Sequence, residues 1–165
     1  MRRAIAIVAS IFSQGGIQAA DLVETPAFKL HVSGDWRLVQ SVDPEVRLLY
    51  SKELDVGVTA SFMFMSAKPS DTERIATKLK EFRLQAENKA AAKLNLRMTI
   101  AEPIVVPFSQ GHQVAYFGHD NTGRQFRYLG LALPAKNINL YAESKTRSQG
   151  ELEKVFNQLL NGLSF

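Results

Sequence analysis

The stretch FGHDNTGRQFRYLGLAL, residues 117–133, sets a histidine beside an aspartate, with Arg124, Arg127 and aromatics close behind. These residue types could build a proton-relaying His–Asp dyad. Their spacing argues otherwise. Adjacent side chains on a strand point to opposite faces, so His119 and Asp120 do not meet. Asp120, Asn121 and Gly123 favour tight turns, because they bond their own backbone or tolerate positive φ. A hairpin turn is therefore expected between two strands. A metal site would have to draw on His31, His112 and His119. A structural site takes four nitrogen or sulfur ligands, with a tight first pair. His112 and His119 are seven residues apart, which puts them on opposite faces of a regular strand, and Cys is absent. His31 reads as a polar residue on the outer face of its strand.

Other chemistries find no support either. The serines lie in no G-x-S-x-G elbow and in no S-x-x-K with its partner motifs. There is no P-loop and no G-x-G-x-x-G. The acids are spread evenly, so no carboxylate pair stands out. We assign no catalytic, cofactor-binding or metal-ligating residue, expect no cofactor, and read the chain as a non-enzyme.

The elements that would position any site follow from periodicity. Phe28, Leu30 and Val32 alternate with Lys29, His31 and Ser33, which predicts a strand with one buried face. Gly34-Asp35 predicts a turn, WRLVQSV a second strand, and Asp43-Pro44 its end. VRLLYSK, 46–52, is a third. Val56, Val58, Ala60, Phe62 and Phe64 fall at every second position, the clearest strand pattern in the chain. Ser70 and Glu73 form an S-x-x-E capping box ahead of a helix over about 71–93. Its buried stripe is predicted as Ile75, Leu79, Phe82, Ala86 and Ala90. Strand patterns return over 94–120, interrupted by Pro103 and Pro107, which mark an edge, bulge or kink. RQFRYLGLALP and NINLYAES are further strands. Ser148 and Glu151 repeat the capping box. Leu152, Val155, Phe156, Leu159 and Leu160 make a second helical stripe, and Asn161-Gly162 stops it. Consecutive strands joined by short turns imply antiparallel pairing. Two helices with one apolar stripe each must cover a sheet.

The first twenty residues read as a leader: Met1-Arg2-Arg3, then the apolar run AIAIVASIF, then SQGGIQAA with small residues for a peptidase. Cleavage after Ala20 puts Gln18 at the third position back, and cleavage after Ala19 puts Ile17 there. The run is too short to span a bilayer, which takes about 20 residues. The expected layout is a signal peptide over 1–20 and one domain over 21–165. Without Arg2 and Arg3 the 20 basic residues fall to 18 against 16 acids, so the charge is about +2. That balance does not suggest nucleic acid, which needs a concentrated basic face. With no Cys there is no disulfide framework, and the core must hold the domain together. An exported chain of this kind suits a periplasm.

FKLHVSGDW, residues 28–36, resembles the opening F-x-x-x-x-P-x-x-W strand, turn and Trp of the Mog1/PsbP-like fold, with Ser33 where Pro is common. The helix after PSDTE sits where that family places its first long helix, and the closing helix ends in a similar Ser164-Phe165. The resemblance spans nearly the whole mature chain. It implies an α+β domain, a central antiparallel sheet packed by two main helices as an α/β/α sandwich. It also implies binding roles, such as photosystem assembly or nuclear-transport regulation, rather than catalysis.

The first long helix carries Arg74, Lys78, Lys89 and Lys93 along one flank, with Lys80, Arg83 and the acids Asp71, Glu73, Glu81 and Glu87 mixed in. This reads as a solvated face; the functional alternative is a docking ridge for an acidic partner. Phe126 and Tyr128 share a face with Arg124, opposite Arg127, either to bind a protein edge or to pack under a helix. Met63 and Met65 either cover a second buried sheet face or form an adaptable binding surface. The expected function is an exported protein-binding domain whose partner is another envelope or secreted protein: an accessory or assembly factor, or a toxin-neutralising immunity protein. The alternatives are a carrier of a small apolar ligand or lipid, which needs a cavity between sheet and helices, and less readily a hydrolase, which needs clustered polar groups in a cleft.

Overall fold

The computed structural model describes residues 18–165, so most of the predicted leader lies outside the described residues. The chain runs β1 (Gln18–Ala19), β2 (Leu22–Glu24), β3 (Lys29–His31), β4 (Arg37–Val39), β5 (Val46–Ser51), β6 (Val56–Phe64), α1 (Thr72–Leu94), β7 (Met98–Ile100), β8 (Ile104–Phe108), β9 (Gly111–Asp120), β10 (Gln125–Ala132), β11 (Lys136–Ser144), α2 (Gln149–Asn161) and β12 (Leu163–Ser164). The domain is α+β. A large antiparallel sheet has the order β1-β4-β5-β6-β11-β10-β9-β7, with β8 also paired to β9. A small sheet has the order β12-β3-β2. Gln18 and Ala19 pair with Leu38 and Arg37, and the Ala20 N–H donates to Trp36 O at 3.0 Å.

Alternation along the central strands sorts the side chains into two unlike layers. On one face Val56, Val58, Ala60 and Phe62 of β6 join Leu129 and Leu131 of β10 and Ile138, Leu140 and Ala142 of β11. Leu152, Val155, Phe156 and Leu159 of α2 complete that aliphatic core, together with Val23 and Leu30 of the small sheet. The opposite face carries Val114, Tyr116, Phe126 and Tyr128, with Leu79 of α1 packed on it.

The α2 prediction holds for the capping box and for Leu152, Val155, Phe156 and Leu159, while Leu160 is only partly buried at the edge of the stripe. Ser148 Oγ accepts from the Glu151 N–H at 3.4 Å, while Glu151 Oε2 accepts from the Ser148 N–H at 2.9 Å. The Ser148 hydroxyl, which donates to Glu151 Oε2 at 2.7 Å, and the Ser148 N–H hold the Glu151 carboxyl below its usual range. Replacing Ser148 by alanine is expected to cost about 1 kcal/mol, read as a lower urea midpoint at unchanged slope.

Two expectations for α1 are corrected. Ser70 is not its cap. Residues 69–71 form a 3-10 turn, and Asp71 Oδ2 accepts from the Lys68 N–H at 3.0 Å instead. Pro69 fits the first position of this tight turn, which shifts the helix start to Thr72. The buried stripe is also rotated. Phe82 is 52% exposed, while Thr72, Ala76, Arg83, Glu87 and Ala91 are buried. The reason is the sheet surface beneath, whose tyrosines offer hydroxyls and ring faces that suit a guanidinium and a carboxylate. Phe64 departs from expectation too. It sits at the end of β6, packs edge-on against Phe62 at 5.7 Å, and is 54% exposed.

Candidate functional site

The densest set of chemistry-bearing side chains lies between α1 and β9–β11. Arg83 and Glu87 stand one helical turn apart, so both point down at the sheet. Tyr116 of β9 and Tyr128 of β10 are opposite each other in the ladder, and Tyr141 of β11 is opposite Tyr128. Arg83 Nη2 donates to Glu87 Oε1 at 2.8 Å, Arg83 Nε donates to Tyr116 Oη at 3.2 Å, and the Tyr116 hydroxyl donates to Glu87 Oε1 at 3.1 Å. This closes a three-membered ring of hydrogen bonds. The Arg83 guanidinium also lies 4.8 Å over the Tyr128 ring and 5.3 Å from the centre of Tyr141, so the aromatic faces supplement the carboxylate. Tyr116 and Tyr128 stack at 4.9 Å, and the Tyr128 hydroxyl donates to Asn139 Oδ1 at 2.7 Å.

The electrostatics follow from burial. Loss of water pushes the phenols of Tyr116, Tyr128 and Tyr141 upward, so they stay protonated donors. Burial works against the Arg83 charge, and Tyr116 and Glu87 outweigh it, leaving the guanidinium more firmly protonated. The layer holds charge in place.

A second buried ion cluster closes the β9–β10 hairpin. Arg124 Nε donates to Asp120 Oδ2 at 2.9 Å, and Arg124 Nη1 donates to Glu143 Oε2 at 2.6 Å. Asp120 Oδ1 accepts the Thr122 N–H at 2.9 Å, the bond of an Asx turn, and Gly123 takes φ +88°. Residues 120–123 thus form the predicted turn, closed by the Gly123 N–H donating to Asp120 O at 3.1 Å, with His119 exposed on β9 and Asp120 buried on the other side. Of the two readings for Phe126 and Tyr128, they pack under a helix, and Arg124 lies 5.2 Å over the Phe126 ring. Arg127, opposite, faces the rings of Phe117 and Phe156.

The three histidines occupy different environments. His31 is exposed on β3, His119 is exposed at the end of β9, and His112 Nδ1 lies 2.9 Å from Thr72 Oγ1 of α1. No group of three or more His, Cys, Asp or Glu side chains placed to hold a metal occurs among the described residues. Met63 is exposed and Met65 half-buried. A shallow open pocket between the small sheet and α2 is lined by His31, Val32, Trp36, Val155, Gln158 and Leu159. No helix among the described residues is long and apolar enough to cross a membrane.

The residues that sequence reasoning missed are Arg83 and Glu87, read there as part of a solvated face. A signal was present. They continue the spacing of Thr72, Ala76 and Ala91, small residues of the kind a closely packed helix buries.

No family model matches the chain, and no curated protein sequence matches it. Solved structures do. The solution structure of cyanobacterial PsbP (CyanoP) from Synechocystis sp. PCC 6803 superposes with a TM-score of 0.66 over 93% of this chain and 98% of that one, at 12% identity. The fold is PsbP-like. A crystal structure from Bacteroides thetaiotaomicron VPI-5482 aligns with a TM-score of 0.46 over 89% of this chain and 48% of that one, at 9% identity. Within the PsbP-like frame, the buried ion clusters fasten α1 and the β9–β10 hairpin to the sheet.

Proposed function

We propose that this chain is an exported, non-catalytic accessory protein that acts by binding another envelope protein. The observation that carries the reading is the fate of its ionisable core. Arg83, Glu87, Tyr116, Asp120, Arg124 and Glu143 are committed to one another beneath α1 and the hairpin. Groups so paired are spent on architecture, which leaves function to the outer surfaces. The basic, apolar leader-like start supports export to a periplasm. The likeness to cyanobacterial PsbP agrees with an accessory role at the level of fold.

The test is affinity capture of the tagged chain from the periplasm of its own host, with partners read by mass spectrometry. A single stoichiometric protein partner is expected. Recovery of the chain alone, or its absence from the periplasmic fraction, would count against the reading.

A further inference from the structure

We propose that the outer flank of α1 is the docking surface, and that its occupant is an acidic protein segment carrying one apolar side chain. This rests on the binding reading above and names the surface and the chemistry of the partner.

Arg74, Lys78, Phe82, Gln85, Lys89 and Lys93 recur at intervals of four, four, three, four and four, which places them on one stripe of a helix. All six are exposed. At 1.5 Å per residue the stripe runs for about 28 Å. It contains four cations and no acid. Glu73 projects from the other flank, Glu81 stands at the edge of the stripe one turn from Lys78 and Gln85, and Glu87 is turned inward onto Arg83. Asp71, at the helix start, pairs with Arg74 at 3.2 Å. Lys78, Lys89 and Lys93 have no carboxylate within salt-bridge distance among the described residues.

The charge is thus sorted, not merely present. A chain with 20 basic and 16 acidic residues sets four cations along this one flank, with Glu81 at its edge. A surface of one sign selects a partner of the other and steers its approach. Phe82 stands near the middle of the stripe with half its surface in water. An aromatic ringed by charges is the arrangement of an interface anchor, where burial of the ring supplies affinity and the rim supplies selection. An anionic membrane would attract the same lysines. Lying in a membrane, however, takes a broad apolar face, and the inner face of α1 is already occupied by the sheet.

The test uses the processed protein recovered from its host, with two probes. One is a fluorescent acidic peptide with a single central leucine. The other is a vesicle of phosphatidylcholine with phosphatidylglycerol. The triple change Lys78→Glu, Lys89→Glu, Lys93→Glu is compared with Lys52→Glu, Lys145→Glu, Lys154→Glu, which shifts net charge equally at exposed lysines elsewhere. Thermal unfolding checks that both remain folded. The flank variant is expected to lose about tenfold or more in peptide affinity, and the control less than about twofold. Phe82→Ala is expected to lose about fivefold with an unchanged salt dependence. Equal losses in the two triple variants would overturn the proposal, as would flank-dependent binding to vesicles without binding to the peptide. Capture of the same stoichiometric partner by the wild type and the flank variant would overturn the surface while leaving the binding role intact. Failure of the wild type to capture any partner strikes at the binding role itself.

Discussion

Glu87→Ala is expected to destabilise the domain by about 3–5 kcal/mol, because it leaves the Arg83 guanidinium buried without its counter-charge. Arg83 is 4% exposed and Glu87 5%, so water cannot replace the lost partner cheaply. Stacking on Tyr128 and the bond to Tyr116 remain, but they are weaker than a carboxylate. Against a total stability of about 5–15 kcal/mol, the loss is large. The double change Arg83→Met with Glu87→Leu removes both charges and keeps apolar volume under α1. It is expected to recover most of the loss, since a buried pair as a whole often contributes little net stability. Urea unfolding of the wild type, Arg83→Met, Glu87→Leu and the double variant gives the coupling directly. A Glu87→Ala cost below about 1 kcal/mol, or additive single effects, would show that α1 is held by its aliphatic contacts instead.

The second large effect is expected at Arg124, whose replacement by methionine leaves two carboxylates, Asp120 and Glu143, without the cation they share. The side chains of Asp120 and Arg124 are almost fully buried and that of Glu143 nearly so. A cost of about 3–5 kcal/mol is expected, with local opening of the β9–β10 hairpin before the rest, seen by hydrogen exchange. The same cluster has a pH signature. Burial raises the Asp120 carboxyl, but Thr122 and Arg124 outweigh it, and its value falls below the ordinary 3.8. The unfolded chain therefore takes up a proton at a higher pH than the folded one does. The stabilisation is fully present above 3.8 and is lost as the pH falls through the folded value. Asp120→Asn is expected to flatten the fall in stability below that point. Unfolding curves collected from neutral pH to pH 2 check this, and an unchanged acid slope would remove Asp120 from the account.

How legible this was from sequence varied with the chemistry of the opposing surface. The phase of α2 could be read directly, because Leu152, Val155, Phe156 and Leu159 meet an aliphatic sheet face, where burial tracks hydrophobicity. The same logic failed on α1. It predicted Phe82 inward and left Arg83 and Glu87 in water, because periodicity scores a buried ion pair as polar. Only the three tyrosines beneath, on strands far away in sequence, explain why charge goes inside. The turn at 120–123 was legible from Asp120, Asn121 and Gly123, since a turn is a local matter. The role of Arg124 was not, because Glu143 reaches it from a different strand. For Met63 and Met65 the outcome depended on how far the cover over the end of β6 extends, which no local pattern encodes.

The small sheet ties together residues that the ribosome delivers far apart in time. His31 N–H donates to Gly162 O at 2.9 Å, and Leu163 is opposite Leu30. A methyl group at Gly162 would stand 2.1 Å from the His31 carbonyl oxygen, so the two segments meet without slack. At roughly 5–20 residues per second, β3 must wait on the order of ten seconds for the strand that completes it. During that interval β3 has at most β2 beside it, and one edge stays open. Closing so long a loop late makes the last step of assembly a slow one. The incomplete chain is thus open to mispairing along the free edge of β3, and the rate at which the chain is delivered, rather than stability, sets how long that exposure lasts.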